Sequence, residues 1–519
     1  MGDIIMRYGS SKPIKYVSMK PILGLKNSCA PDSIEMYKAF DQYGEVIGIF
    51  IADGQNVEFS REHTAINKAF GYATWSHTAI GTPSLCMGLH EIFDGTNRDY
   101  IFFDHGKVYY YDGTKDPVEI TVATPVTFAT DPGDMYSIID FGSYVIWADY
   151  AEHTPYKWKH GDANSTKLIL SGTEYQFRYL THVANRIIGA YTTEATSPDL
   201  SVRWTDALPT WASLSFPAAN QAYKPVGDDS ITGLASMGND FGYIFSEKDI
   251  TRIEYYPSHS PVFSFVCAMR DIGTISNQSI LSDGKYLYFF DIHRGFIQYN
   301  GATDYKVISE PIEGVISGIS VAYAPLIVGK SIPSPTGNKL IWSIPSGGNA
   351  TPNKIISYDP TNEIWTPLGT EVARAMDYWR LPSATESSLV FANTNGVLYQ
   401  KTGETADGAA WDGYFITPII PTRETYQKKR LLEIWLSINN RYAASTYIHI
   451  YHRGGDTAGE LENQDWVELG TIDMKDSAKP VLYCDKTERL HQLKIRTNAA
   501  TEYFSIGDIK VGYIVQGRD

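Results

Sequence analysis

At 519 residues, 43 % hydrophobic and 20 % charged, the chain is too long for one ordinary core and too apolar to be disordered. Its net charge of −15, with Lys428-Lys429-Arg430 as its longest basic run, argues against a protein that grips nucleic acid, because duplex affinity rests on Lys and Arg neutralising phosphates. Cys29, Cys86, Cys267 and Cys484 stand far apart with no C-x-x-C pair, which argues against zinc and against a disulfide framework.

In chain order, Met1 to Lys20 lacks the apolar core of a leader. The longest apolar run, Val46 to Ala52, is too short to span a bilayer. The sequence thus predicts a protein made in the cytoplasm with no membrane-spanning segment. Residues 1–55 read as an N-terminal arm and hairpin. Lys12 to Ser33 is rich in Pro, Gly and Ser, Ile34 to Phe40 allows a turn or two of helix, and Glu45 to Glu58 reads as a hairpin turning at Asp53-Gly54.

From there one pattern returns seven times: an aromatic or branched burst, a polar turn, and a second strand ending in an aromatic. The bursts begin at Tyr100, Tyr144, Arg186, Tyr243, Tyr286, Lys339 and Leu389, 42 to 57 residues apart. One four-stranded sheet consumes about 40 to 50 residues, so this period predicts a β-propeller over 56–410, with seven blades, or six if the third or sixth copy is an insertion. In the fifth copy Gln278 to Leu281 reads as the inner strand and Tyr286 to Asp291 as the second. Phe296 to Tyr299 reads as the third, and Tyr305 to Ser309 as the fourth, reached through Asn300-Gly301. The first copy repeats the layout with Asp104-His105-Gly106 and Asp112-Gly113, and the last with Asn395-Gly396.

Beyond Trp411 the period stops. Seven strand candidates in residues 411–519, from Phe415 to Ile419 through Tyr503 to Tyr513, read as a separate C-terminal β-sandwich. The fold class is therefore all-β, a propeller followed by a sandwich. Arg423, Lys428, Lys429 and Arg430 form the one basic cluster. They read either as a subunit interface onto an acidic neighbour or as a strand edge blunted by lysines.

Catalytic chemistry does not assemble in the sequence. Ala324 to Ser331 (APLIVGKS) ends like a phosphate loop but lacks its first glycine, and Gly233 to Gly238 misspaces a nucleophile elbow. His449 and His452 fall on opposite faces of one strand, so they do not form a metal pair. The expectation is no catalytic residue, no metal and no cofactor.

Ile272-Gly273-Thr274-Ile275-Ser276-Asn277-Gln278-Ser279-Ile280, followed by Tyr286 to Phe290, Gly295 to Tyr299 and Asn300-Gly301, resembles a segment of the tail nozzle proteins. These are the tail hub, or packaged-DNA stabilisation, proteins of short-tailed bacteriophages. Ile250 to Glu254 resembles the charged strand that precedes it in that family. The opening Lys20 to Asn27, the strand Lys428 to Ile434 and the closing Gly512 to Arg518 are similar to the family's as well. The resemblance implies a structural virion protein without catalysis. Copies would form a ring, usually a hexamer, beneath the portal and adaptor and beside tail fibre, spike or needle proteins. The ring would extend the DNA channel, retain packaged DNA and permit its ejection. Genomic DNA would pass an acidic lumen without tight binding. Two alternatives stand beside it, a carbohydrate-active propeller enzyme and a host-surface-binding tail adhesin.

Overall fold

Each apolar burst becomes the second strand of an antiparallel sheet. These strands are Arg98–Asp104, Tyr144–Ala148, Arg186–Thr192, Phe241–Phe245, Leu287–Asp291, Lys339–Ile344 and Ser388–Ala392. They are buried on both faces, which is why the sequence shows runs rather than alternation. The computed structural model describes residues 13–40, 46–60, 62–75, 86–104, 107–111, 117–121, 135–149, 153–169, 173–193, 196–207, 211, 214–225, 229–332, 338–380, 387–394, 396–403, 405–422, 424, 426–442, 445–475, 478–500 and 502–516. The turn residues His105, Gly106, Asp112, Gly113 and Asn395 lie outside these, as do Arg423 and Gly517-Arg518.

The chain divides into two compact units, one of Tyr72–Glu363 with Thr370–Thr402 and one of Met1–Gly71, Ile364–Gly369 and Gly403–Asp519. The first unit is a propeller of seven sheets. Its inner strands are Gly88–Phe93, Ser137–Phe141, Phe177–Val183, Gly233–Met237, Leu281–Ser282, Val328–Ile332 and Ala375–Trp379. In each sheet the strands follow in chain order from inside to outside, except in the seventh. There Tyr72–Thr74, which precedes the first blade, pairs antiparallel with Leu398–Lys401 as the outer strand. The first and last segments of the unit thus share one sheet, which closes the ring. Tyr72 also sets its ring edge-on to Phe391 (5.6 Å) and Tyr399 (5.2 Å).

Neighbouring blades interlock through aromatics and a few buried hydrogen bonds. Trp342 of the sixth blade packs on Phe296 of the fifth at 4.5 Å and donates its indole N–H to the Ser279 carbonyl at 3.0 Å. Between the seventh and first blades, the Asp377 carboxylate accepts from the Glu91 N–H (2.7 Å), and the Arg374 guanidinium donates to the Cys86 carbonyl (3.3 Å).

The second unit holds the strands expected of a sandwich. A six-stranded sheet contains Lys429–Ile438, Val481–Glu488 and Ser505–Val515, and a five-stranded sheet contains Tyr447–Gly455, Val467–Asp473, Leu490–Thr497 and Gly413–Ile416. Burial alternates as β-geometry requires, with Ile448 and Ile450 inward on one sheet and Ile434 and Leu436 on the other.

The N-terminal segment differs from expectation. It supplies strands to the C-terminal sheets: Lys15–Met19 pairs with Ser505–Val515, and Asp53–Gln55 pairs with Gly413–Ile416. The expected hairpin over Glu45 to Glu58 does not form. Val46–Ile51 pairs instead with Pro21–Leu25 and Tyr37–Phe40, and Asp53-Gly54 begins a strand rather than a turn. The helical turn at Ile34–Met36 is a single 3-10 turn capped by Ser33. Among the described residues no helix is long and apolar enough to cross a membrane.

Trp342→Ala should lower the free energy of unfolding by about 3–5 kcal/mol, since it removes a buried ring and leaves the Ser279 carbonyl unpaired. Urea denaturation measures the difference.

Candidate functional site

The inner strands of all seven blades line one axial cavity of about 290 Å³. Among its lining residues, His90, Thr181, Ser236, Ser282 and Lys330 bring polar side chains from five blades. Two of these carry carboxylates with them. His90 Nε2 lies 2.7 Å from Asp140 Oδ1, and Lys330 Nζ lies 2.7 Å from Asp377 Oδ1. Inner strands are short and flanked by turns, so successive blades contribute one or two such residues each while their neighbours pack between blades.

The electrostatics fix the protonation states. Removal from bulk water pushes the Asp140 carboxyl up, but His90, Lys330 and His182 together outweigh this and hold it below the ordinary carboxylate range. Burial pulls the His182 imidazole down, against the attraction of Asp140. At neutral pH Asp140, beside the cavity, is therefore ionised and His182 neutral. Asp377 is committed to Lys330 and to the N–H groups of Glu91 and Tyr378, both at 2.7 Å.

One side chain crosses the cavity. Gln278 belongs to the fifth blade, and its Nε2 donates to the Tyr136 carbonyl of the second blade at 2.6 Å. Those blades face each other across a seven-membered ring, so Gln278 bridges the axis. Its backbone is a 3-10 turn, Asn277–Ser279, where the sequence predicted an inner strand; only Leu281–Ser282 is strand. The turn forms because serine and asparagine side chains take up the backbone groups. Thr274 Oγ1 accepts from the Ser276 N–H (3.2 Å), Ser276 Oγ donates to the Ile327 carbonyl (2.7 Å), and Asn277 Oδ1 accepts from the Leu234 N–H (3.0 Å).

The glycines of this segment have equally local causes. A Cβ on Gly273 would stand 1.9 Å from the Ser246 carbonyl oxygen. Gly301 adopts φ +79° with the Tyr243 hydroxyl pressed against it. Asp291 ends the second strand by accepting from the N–H groups of His293 and Arg294, both at 2.8 Å. The motif that stood out in the sequence is thus occupied with backbone geometry and inter-blade bonding.

Asp149 is different. Burial pushes its carboxyl up to about 6, although the His153 N–H (2.8 Å) and ring (2.5 Å) both bond it. It follows the second strand of the second blade, in the place Asp291 holds in the fifth, and it does not line the axial cavity.

The expected basic cluster does not present one face. Lys429 is buried, with its ammonium on the Glu424 carbonyl at 2.9 Å, and burial pulls its pKa down to about 8. Arg430 forks onto Asp485. Lys428 is exposed and reaches Asp456 only at 3.8 Å. Strand alternation explains this outcome, because consecutive residues in Lys429–Ile438 point to opposite faces. Sequence proximity in a run of cations therefore did not become spatial proximity. The phosphate-loop fragment also resolves into structure: Val321–Leu326 is a 3-10 turn, and Lys330 lies in an inner strand bound to Asp377. Among the described residues no three His, Cys, Asp or Glu side chains gather as a metal site.

The histidines of the second unit part as expected, and one finds an unforeseen partner. His449 turns outward to Glu468 (2.8 Å), whereas His452 turns inward, its Nε2 2.9 Å from Nδ1 of His491. His491 Nε2 faces the carbonyls of Lys429 and Glu488, each at 3.0 Å, so it carries the proton and its Nδ1 accepts from His452. Burial holds His452 near 4, and burial with the His452 charge holds His491 near 3.

No family model matches the chain, and no curated protein matches it significantly in sequence. Among solved structures it is similar to the extracellular domain of a one-component system from B. thetaiotaomicron (8 % identity, TM-score 0.41), covering 80 % of this chain and 47 % of that one. It is similar also to an inactive virginiamycin B lyase from Staphylococcus aureus solved with quinupristin (11 % identity, TM-score 0.38), covering 64 % of this chain and 98 % of that one. A third is the N-terminal domain of Nup159 (9 % identity, TM-score 0.35), covering 66 % of this chain and 96 % of that one. This chain spans under half of the first of these. Likenesses so loose carry no information about its activity.

Two predictions follow from the second unit. Lys429→Glu should destabilise it by about 3 kcal/mol or more, because it buries an unpaired charge. Lys428→Glu should stay within about 0.5 kcal/mol, and paired thermal melts distinguish the two. For the histidines, the folded pKa values lie below the unfolded 6.5, so the unfolded chain binds the extra protons. Stability is therefore complete above pH 6.5 and falls as the pH drops toward 4. Hydrogen exchange at Tyr447–Gly455 and Leu490–Thr497 should accelerate over that window, and His452→Gln, which donates without titrating, should reduce the effect.

Proposed function

We propose that the protein is a structural subunit of a phage tail, one copy of a ring that continues the DNA channel and retains the packaged genome until ejection. The observation that carries this reading is the segment Gly273 to Gly301, which resembles the nozzle proteins. Its Gly, Thr, Ser and Asp residues make turns and inter-blade bonds. Residues spent in that way suit a mechanical part. A net charge of −15, multiplied around a ring of six copies, also suits a wall along which phosphates slide. Retention then comes from narrowing of the ring rather than from affinity.

The carbohydrate-active alternative draws on Asp140 and Asp377, two carboxylates beside the axial cavity. A glycosidase needs one carboxyl held protonated to release the leaving group. Asp140 is held ionised, and Asp377 is saturated by Lys330 and two N–H groups, so this pair favours a structural role.

Particles assembled without the protein should package DNA and then lose it, read as DNase-sensitive genome in the particle fraction. The purified protein should show negligible duplex binding at physiological salt. Particles that keep their genome, or a purified chain that cleaves polysaccharide, would overturn the assignment.

A further inference from the structure

Five outer strands of the propeller are short, two residues in the first and second blades and three in the third, fifth and seventh, while the sixth blade's, Ile364–Gly369, has six. The fourth blade departs from this with Phe263–Arg270, eight residues long. It is the last strand of its sheet, paired with Asp249–Tyr255 on one side, and no described strand pairs with its other edge. Its sequence, FSFVCAMR, carries no charge before Arg270, and Val266 is 40 % exposed. A long, apolar, open edge is the arrangement that proteins ordinarily blunt with lysine, proline or a short strand. A β-bulge at Ala268 interrupts the pairing between Cys267 and Met269, and before it the edge Phe263–Cys267 carries no lysine or proline.

A second feature lies at the end of the same strand. Arg270 is exposed, and the next residue, Asp271, lines a shallow cavity of about 680 Å³ with Lys248, His293 and Arg294. Arg294 Nη1 donates to the Asp271 carbonyl at 2.5 Å, which fixes the guanidinium there. Asp271 is the one carboxylate of that lining, against two permanent cations and an imidazole.

We propose that this edge is a docking site for an extended segment of a partner protein, which adds a fifth strand to the fourth blade. Main-chain hydrogen bonds along Phe263–Arg270 would supply the affinity, and alternate apolar side chains would lie beside Val266. The blade's own strands are all antiparallel, so the incoming strand runs antiparallel and its N-terminal end falls beside Arg270. Charge complementarity then fixes its chemistry: acidic residues at the N-terminal end, entering the cavity of Lys248, His293 and Arg294, followed by alternating apolar residues. The site is independent of the nozzle reading.

The test uses the full chain and two fluorescein-labelled decapeptides of alternating valine and threonine, one beginning with two glutamates and the other with two lysines. Fluorescence anisotropy should show the glutamate peptide binding at least about ten-fold more tightly. Val266→Lys, an exposed change that circular dichroism should find folded, should weaken binding at least about ten-fold. Lys248→Glu with His293→Glu should reverse the preference between the peptides. Equal binding of both peptides, or indifference to Val266→Lys, would overturn the proposal. So would a chain that binds neither peptide but dimerises in light scattering until Val266→Lys is introduced, since the edge would then pair with itself.

Discussion

The pairing of Tyr72–Thr74 with Leu398–Lys401 is the constraint on which the propeller depends. Seven sheets stacked side by side would leave the first and seventh with bare faces, and each bare face would expose strands such as Arg98–Asp104 that are apolar on both sides. Closing the ring gives every blade two neighbours. It does so by one short strand whose partner lies more than three hundred residues away, so the ordering entropy is borne by a single long-range contact and repaid by burial along every blade. The aromatic clasp of Tyr72, Phe391 and Tyr399 stands at that join, and the Asp377 and Arg374 bonds to the first blade reinforce it.

Closure also creates the problem that the axial residues solve. Inner strands converge where space is least, and their polar groups meet around a cavity of about 290 Å³. The observed solution is local pairing: His90 bonded to Asp140, Lys330 to Asp377, and Gln278 reaching across to the Tyr136 carbonyl. Each pair joins different blades, so the same bonds that satisfy the charges also fix the angular order of the ring. Each pair is part-exposed, with Asp140 and Lys330 reaching solvent, so it contributes little net stability while favouring the arrangement that keeps its members together.

Legibility in the sequence tracks the range of the interactions. The second strands could be read because burial on both faces writes an unbroken apolar run, as in Tyr286 to Phe290. The C-terminal strands could be read because Ile448, Ile450, Leu493 and Ile495 alternate within a few residues. The N-terminal segment could not, since Lys15 finds Tyr513 and Asp53 finds Ile416, and nothing local records those partners. The axial pairs were missed for the same reason: His90 and Asp140 lie fifty positions apart and neither belongs to a motif. The basic run at Lys428 failed in the opposite way. Its residues are adjacent in sequence, and strand geometry sends them to different environments, one buried, one paired and one exposed.

These arrangements bear on what kind of work the fold can do. Catalysis needs groups kept out of balance: a carboxyl held protonated, a nucleophile beside an unoccupied base, an open cavity for substrate. Beside the axial cavity Asp140 is held ionised and Asp377 is bound to Lys330, and Gln278 crosses the cavity itself. The His452–His491 pair in the second unit is likewise satisfied and buried, a rigid element rather than a proton donor. Among the described strands, Phe263–Arg270 presents a long open backbone edge, with cations at its end. Unpaired backbone is recognised by other backbone, which is the physical basis of the strand addition proposed for that edge.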